Sequence, residues 1–142
     1  MIVYADTSFL IAVYLQDMHS REAYRLMALH PTVPITPFGR AETANAMYRQ
    51  VFLQRISVAN ARAAWQNFEL DCRSGRLHLT ELPETTWNEV IHLARRHGPT
   101  LGVRALDSLH VACALELRAD KFWTFDERQA KLAEAVGLDT DP

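Results

Sequence analysis

Four carboxylates stand where an apolar run gives way to a helix-like stretch. Asp6 follows Ile2-Val-Tyr-Ala5, and Glu42 lies in the first turn or two of the helix after the second apolar run. Asp107 opens the densest apolar segment of the chain, and Asp126 closes Phe122-Trp-Thr-Phe125. Each acid alone has an ordinary explanation. Asp6 suits a helix N-cap, and Glu42 suits the positive end of a helix dipole. Those roles do not require four acids on one rim, and no Lys is their immediate neighbour. All-oxygen ligands of this kind favour a hard divalent cation such as Mg²⁺ or Mn²⁺.

The segment from Arg104 to Asp126 shows how such acids are brought together. Leu106, Leu109, Val111, Ala112, Cys113, Leu115 and Leu117 are too dense for a surface helix and predict a mostly buried one. About ten helical residues after Asp107 run ~15 Å outward. A returning strand of about five residues covers ~16 Å. Asp107 and Asp126 therefore finish at the same edge of a sheet. Clustered carboxylates repel one another unless something positive sits between them.

The remaining elements follow in order. Ile2–Ala5 reads as a strand and Phe9–Leu15 as part of a buried helix, with Asp6 at the junction. Ser20 is expected to cap a helix from Arg21 to Leu29. Val33–Thr36 is a short strand whose flanking prolines suit an edge. A helix from Phe38 to about Arg55 should turn Ala41, Ala44, Met47, Tyr48, Val51 and Phe52 inward. Ser57 opens the next helix, with Ala61, Trp65, Phe68 and Cys72 inward, ending at Ser74-Gly75. Leu77–Leu82 alternates like a half-exposed strand. Thr86-Trp-Asn-Glu89 has capping-box spacing for a helix that ends at Gly98-Pro99. Phe122–Phe125 is an aromatic strand, and Glu127–Val136 is a last helix stopped by Gly137. Strands alternating with helices predict an α/β fold with a mainly parallel sheet in a single domain spanning 1–142. Ligands of such sheets bind beyond the carboxyl ends of the strands.

Composition narrows the chemistry. The net charge of −2 leaves no overall basic footprint. Thirteen of the fifteen basic residues are Arg, which suits phosphate recognition but equally reflects a GC-rich genome. Cys72 and Cys113 match no zinc or redox spacing and read as reduced core thiols. The six histidines show no zinc-ligand arrangement, and His110, one turn after Asp107, reads as a satisfied core residue. The scattered glycines form no phosphate loop. A phosphatase of the aspartyl-phosphate type needs an acid where Ser8 stands, and Ser8 and Ser108 lack the context of a serine nucleophile. No apolar run reaches membrane-spanning length, and no signal peptide opens the chain, so a cytoplasmic protein is expected.

Four segments, Ile2-Val-Tyr-Ala-Asp6-Thr-Ser-Phe-Leu10, Ala41-Glu42-Thr-Ala-Asn45, Arg104-Ala-Leu-Asp107-Ser-Leu-His110-Val-Ala-Cys-Ala and Thr124-Phe-Asp126-Glu-Arg-Gln129, together resemble a PIN domain. The likeness is to the VapC-type toxin ribonucleases of toxin–antitoxin pairs and covers residues 2 to about 137. It implies a three-layer PIN-like fold and an Mg²⁺- or Mn²⁺-dependent endoribonuclease. The acids would be Asp6, Glu42, Asp107 and Asp126, with Thr7 or Ser8 and Thr124 as supporting hydroxyls. Asp6, Asp107 and Asp126 are the expected metal ligands, and Glu42 either joins them or orients the attacking water. Arg104 and Arg128 lie near the acids and are candidates for holding substrate phosphate, with pairing to those same acids as their expected resting role. The resemblance also implies an RNA substrate, a small antitoxin partner, a homodimer and no membrane association. The rival readings are a non-catalytic PIN-like RNA- or protein-binding module, and a metal-dependent phosphatase or DNA nuclease using the same pocket.

Overall fold

The computed structural model describes residues 1–142. Helices alternate with short strands, and every strand pair is parallel, as the α/β pattern predicts. The chain divides into two units: Met1–Asp6 with Glu81–Pro142, and Thr7–Thr80.

In the first unit, β1 (Val3–Ala5) pairs with β4 (Lys121–Trp123), and β4 with β5 (Asp139–Asp141). The register sets Ala5 opposite Trp123, and Trp123 opposite Asp141. Tyr4, Phe122 and Trp123 are all buried, and the Tyr4 ring stacks on Phe122 at 5.5 Å. β4 is shifted from the expected Phe122–Phe125. The Thr124 amide still donates to the Asp141 carbonyl, but Phe125 lies outside the strand. β5 was not foreseen, because Asp-Thr-Asp carries no strand signal; its place comes from pairing with the edge of β4.

Helix α5 (Thr85–Leu101) differs from its predicted limits. It runs straight through Gly98-Pro99 and ends at Gly102, whose φ of 61° is left-handed. A residue before proline normally leaves the helical region because its Cβ meets the proline ring; Gly98 has no Cβ. The expected capping box is also absent. Thr86 lies inside the helix, with its buried hydroxyl unpartnered. Helix α6 (Ala105–Glu116) is buried from Asp107 to Ala114 and packs against α5 and α7 (Glu127–Ala135).

The second unit holds α1 (Thr7–Tyr14), α2 (Ser20–Leu29), β2 (Val33–Ile35), α3 (Pro37–Phe52), α4 (Val58–Ser74) and β3 (Leu77–Leu79). β2 and β3 form their own two-stranded sheet, where Pro34 costs little because one edge is unpaired. Ser20 is not a cap as expected. It is the first helical residue, and its hydroxyl ties Asp17 to Leu15 by accepting from one and donating to the other. Thr36 caps α3 by accepting from the Gly39 amide at 2.9 Å, and a Cβ on Gly39 would crowd that hydroxyl at 3.3 Å. The buried face of α3 is Gly39, Thr43 and Met47, while Ala41, Tyr48 and Phe52 are exposed, contrary to the predicted stripe. Small residues at Gly39 and Thr43 let the helix approach closely on that side. In α4, Ser57 caps as expected, and Ala61, Ala64 and Phe68 are buried; Trp65 and Cys72 are only half-buried.

Candidate functional site

The carboxyl ends of β1 and β4 lie side by side, and the residues that follow them carry the polar chemistry. The Asp6 amide donates to the Trp123 carbonyl at 3.0 Å, which extends the parallel ladder by one step. That step brings Asp6 beside Thr124. The Thr124 hydroxyl donates to the Asp6 carboxylate and accepts from the Asp126 amide at 2.9 Å. One side chain thus turns the Asp6 carboxylate and holds the Asp126 main chain. Asp126 caps α7, its Oδ1 accepting from the amides of Arg128 and Gln129. These bonds use only one side of the carboxylate.

Asp107 reaches the same edge by a different route. The Tyr4 hydroxyl and His110 Nδ1 lie 2.8 Å apart, which fixes α6 against β1. Because β4 runs parallel to β1 and follows α6 after a tight turn, α6 runs antiparallel to both strands. Asp107 is one turn before His110, about 4.5 Å up the helix. Asp6 is two residues beyond Tyr4, about 6.6 Å along the strand. Both displacements point the same way. Asp107 Oδ2 accepts from the Arg104 amide at 3.0 Å, and Arg104 Nε stands 3.7 Å from that oxygen. His110 is the buried, bonded histidine that the sequence suggested.

The remaining predicted residues are distributed as follows. Thr7, Ser8 and Glu42 belong to the second unit. There the Thr7 hydroxyl donates to Glu42 Oε1, while Ser8 is half-buried at the start of α1. Arg104 and Arg128 line one depression with Asp126. The sequence reading missed Lys131, which lines it too, although the i, i+3 spacing from Arg128 would have placed it on the same face.

A chemical test of the acids is their fit to a cation. Asp6 is fully excluded from solvent, and Asp107 is 4% exposed. A buried carboxylate is costly unless it is hydrogen-bonded or bound to a cation. Two buried polar atoms in neighbouring positions, Ser108 Oγ and Gln129 Oε1, have no protein partner, so they remain available to water or ligand. No three His, Cys, Asp or Glu side chains stand together as a group that could hold a metal ion. Mg²⁺ is commonly held by only one or two carboxylates and keeps several waters, so such a set would have to bind it largely through water.

A sequence-family model describing the PIN domain matches residues 3–135, across both units. The chain belongs to the PIN domain family. No curated protein matches it. Among solved structures, this PIN domain is similar to VapC20 of Mycobacterium tuberculosis, described as a toxin that cleaves the sarcin–ricin loop. The TM-score is 0.71 at 21% identity, covering 96% of this chain and 95% of that one. It is also similar to PAE2754 from Pyrobaculum aerophilum, with a TM-score of 0.68 at 16% identity, covering 99% and 83%. At these identities the likeness is one of fold. No helix is long and apolar enough to cross a membrane.

Proposed function

We propose that this PIN domain is a divalent-metal-dependent endoribonuclease that hydrolyses RNA phosphodiester bonds, and that it is the toxin of a toxin–antitoxin pair. The observation that carries the reading is Thr124, whose hydroxyl links Asp6 and Asp126 beyond β1 and β4. Asp6, Asp107 and Asp126 are the residues that would hold Mg²⁺ or Mn²⁺. When bound, such an ion supplies a water of lowered pKa and stabilises charge on the phosphate and the leaving oxygen.

The chain's own groups do the rest. Thr124 keeps the Asp6 carboxylate turned, and the Arg104 amide does the same for Asp107. Glu42 completes the catalytic set in this reading, as a ligand or by orienting the attacking water. Its support is the resemblance and its bond to Thr7, the residue after Asp6 in the chain. Ser8 is kept as a second hydroxyl on sequence grounds. Arg104 and Arg128 would hold substrate phosphate, a role suited to the planar guanidinium.

From VapC20 we take the class of reaction and not its target RNA. A small antitoxin, a homodimer and a cytoplasmic site of action belong to the same proposal. Exposed Tyr48 and Phe52 on α3 are apolar surface that a protein partner would cover. The test is cleavage of single-stranded RNA with and without Mg²⁺ or Mn²⁺, beside DNA and a small phosphate ester. Metal-dependent cutting of RNA alone, lost in Asp6→Asn and Asp107→Asn, is the expected result. Equal activity in EDTA overturns the metal role, and a preference for DNA or the ester overturns the substrate.

A further inference from the structure

The depression beside Asp126 has a volume of about 490 Å³, within the ~300–1,000 Å³ usual for small-ligand pockets. Arg104, Arg128 and Lys131 supply its positive charge, with Asp126 and Glu127 as the acids. Arg128 and Lys131 are three residues apart on α7 and so share a face. Neither forms an ion pair, although Glu127 is close by in sequence. Bases elsewhere that are paired have a carboxylate within reach: Arg25 has Glu22, Arg40 has Glu69, and Lys121 has Asp139 and Asp141. Cations held side by side on one wall of a depression favour a polyanion. The remaining walls, Leu101 and the half-buried Phe125, are apolar.

We propose that this depression is a nucleotide subsite, in which Arg128 and Lys131 hold the phosphate next to the one cut and Phe125 and Leu101 face its base. The inference deepens the ribonuclease reading and rests on it. Cations on a single-stranded path give affinity without sequence preference, and an aromatic face accepts any base. The subsite therefore sets the position of the strand and leaves the choice of sequence to other contacts.

The experiment measures binding of a short labelled oligouridylate in metal-free buffer with EDTA across a range of salt concentrations. Cleavage of the same probe by the unmodified protein with Mg²⁺ is recorded in parallel. Lys131→Glu should weaken binding by about tenfold or more at low salt and reduce the slope of log Kd against log salt by about one. Lys131→Arg should restore both. Because Lys131 is exposed, both variants should melt like the parent; Lys131→Gln, with an intermediate effect, serves as a second check. If the parent binds and cuts the probe but Lys131→Glu binds with unchanged affinity and slope, the subsite is wrong and the ribonuclease stands. If the parent neither binds nor cuts, the ribonuclease reading fails and takes the subsite with it.

Discussion

One three-stranded sheet carries two groups of acids, and they are treated differently. On β5, Asp139 and Asp141 share Lys121, with Nζ at 3.5 and 3.0 Å. The hydrogen bond to Asp141 is the main reason the Lys121 ammonium is held above its ordinary pKa. These acids are exposed or half-exposed and neutralised in place. Beyond β1 and β4, Asp6 and Asp107 are buried, and Thr124 and main-chain amides orient the carboxylates. Hydroxyls and amides direct a carboxylate without cancelling its charge. The acids of β5 share one lysine near the surface, whereas Asp6 and Asp107 are buried and turned by hydroxyl and main-chain donors, with Arg104 Nε 3.7 Å from Asp107.

The sharpest way to break this contrast is to remove one charge from each group. Asp6→Asn should abolish metal-dependent RNA cleavage while leaving metal-free stability unchanged or raised, since it relieves repulsion within the cluster. Asp141→Asn should do the reverse, lowering the melting temperature slightly and sparing activity. Unfolding of Asp6→Asn would show that its carboxylate is structural. Next in size is the wall between the groups. Trp123 is fully buried between Ala5 and Asp141 in register, so Trp123→Ala should cost about 3–5 kcal/mol in denaturant unfolding. A loss below ~1 kcal/mol would mean that the ring does not pack as described. Thr124→Val keeps the side-chain shape and removes the orienting hydroxyl. Activity should fall by about 10–100-fold with little change in melting temperature, as for groups that support metal ligands. Unchanged activity would separate Thr124 from the site.

The smallest effect extends the contrast to the second unit. Tyr14 donates to Asp71 at 2.6 Å, and burial, then that bond, pushes its hydroxyl well above the ordinary value of 10.0. A group whose pKa is higher in the folded state contributes stability that is fully present below its unfolded pKa and is lost above it. Stability should therefore decline as pH rises past about 10, and less steeply in Tyr14→Phe. Identical alkaline profiles would remove Tyr14 from the account.

The strands and helices around Asp6 and Asp107 were legible because their signals are local: apolar runs, density and junction acids. The outward and return lengths of α6 and β4 led the sequence reading to expect Asp107 and Asp126 at one edge. Limits were less legible where one missing atom reverses a rule, as at Gly98-Pro99. The stripe on α3 misled because hydrophobicity marks Tyr48 and Phe52 as inward, while the face that packs is built from Gly39, Thr43 and Met47. Small size, which permits close approach, leaves no hydrophobic signal.

By itself the sequence determined the alternation of elements, the four acids and the family they resemble, since each depends on residue type and near spacing. Tertiary structure alone decided that the Thr124 hydroxyl joins Asp6 to Asp126, across a ladder linking residues more than a hundred positions apart. It also decided that Lys121 serves Asp139 and Asp141, and that Arg128 and Lys131 line one depression without forming ion pairs. Pairing of this kind depends on which strands lie side by side and in what register, and hydrogen bonds and charges act over a few ångströms of space, whatever the distance along the chain.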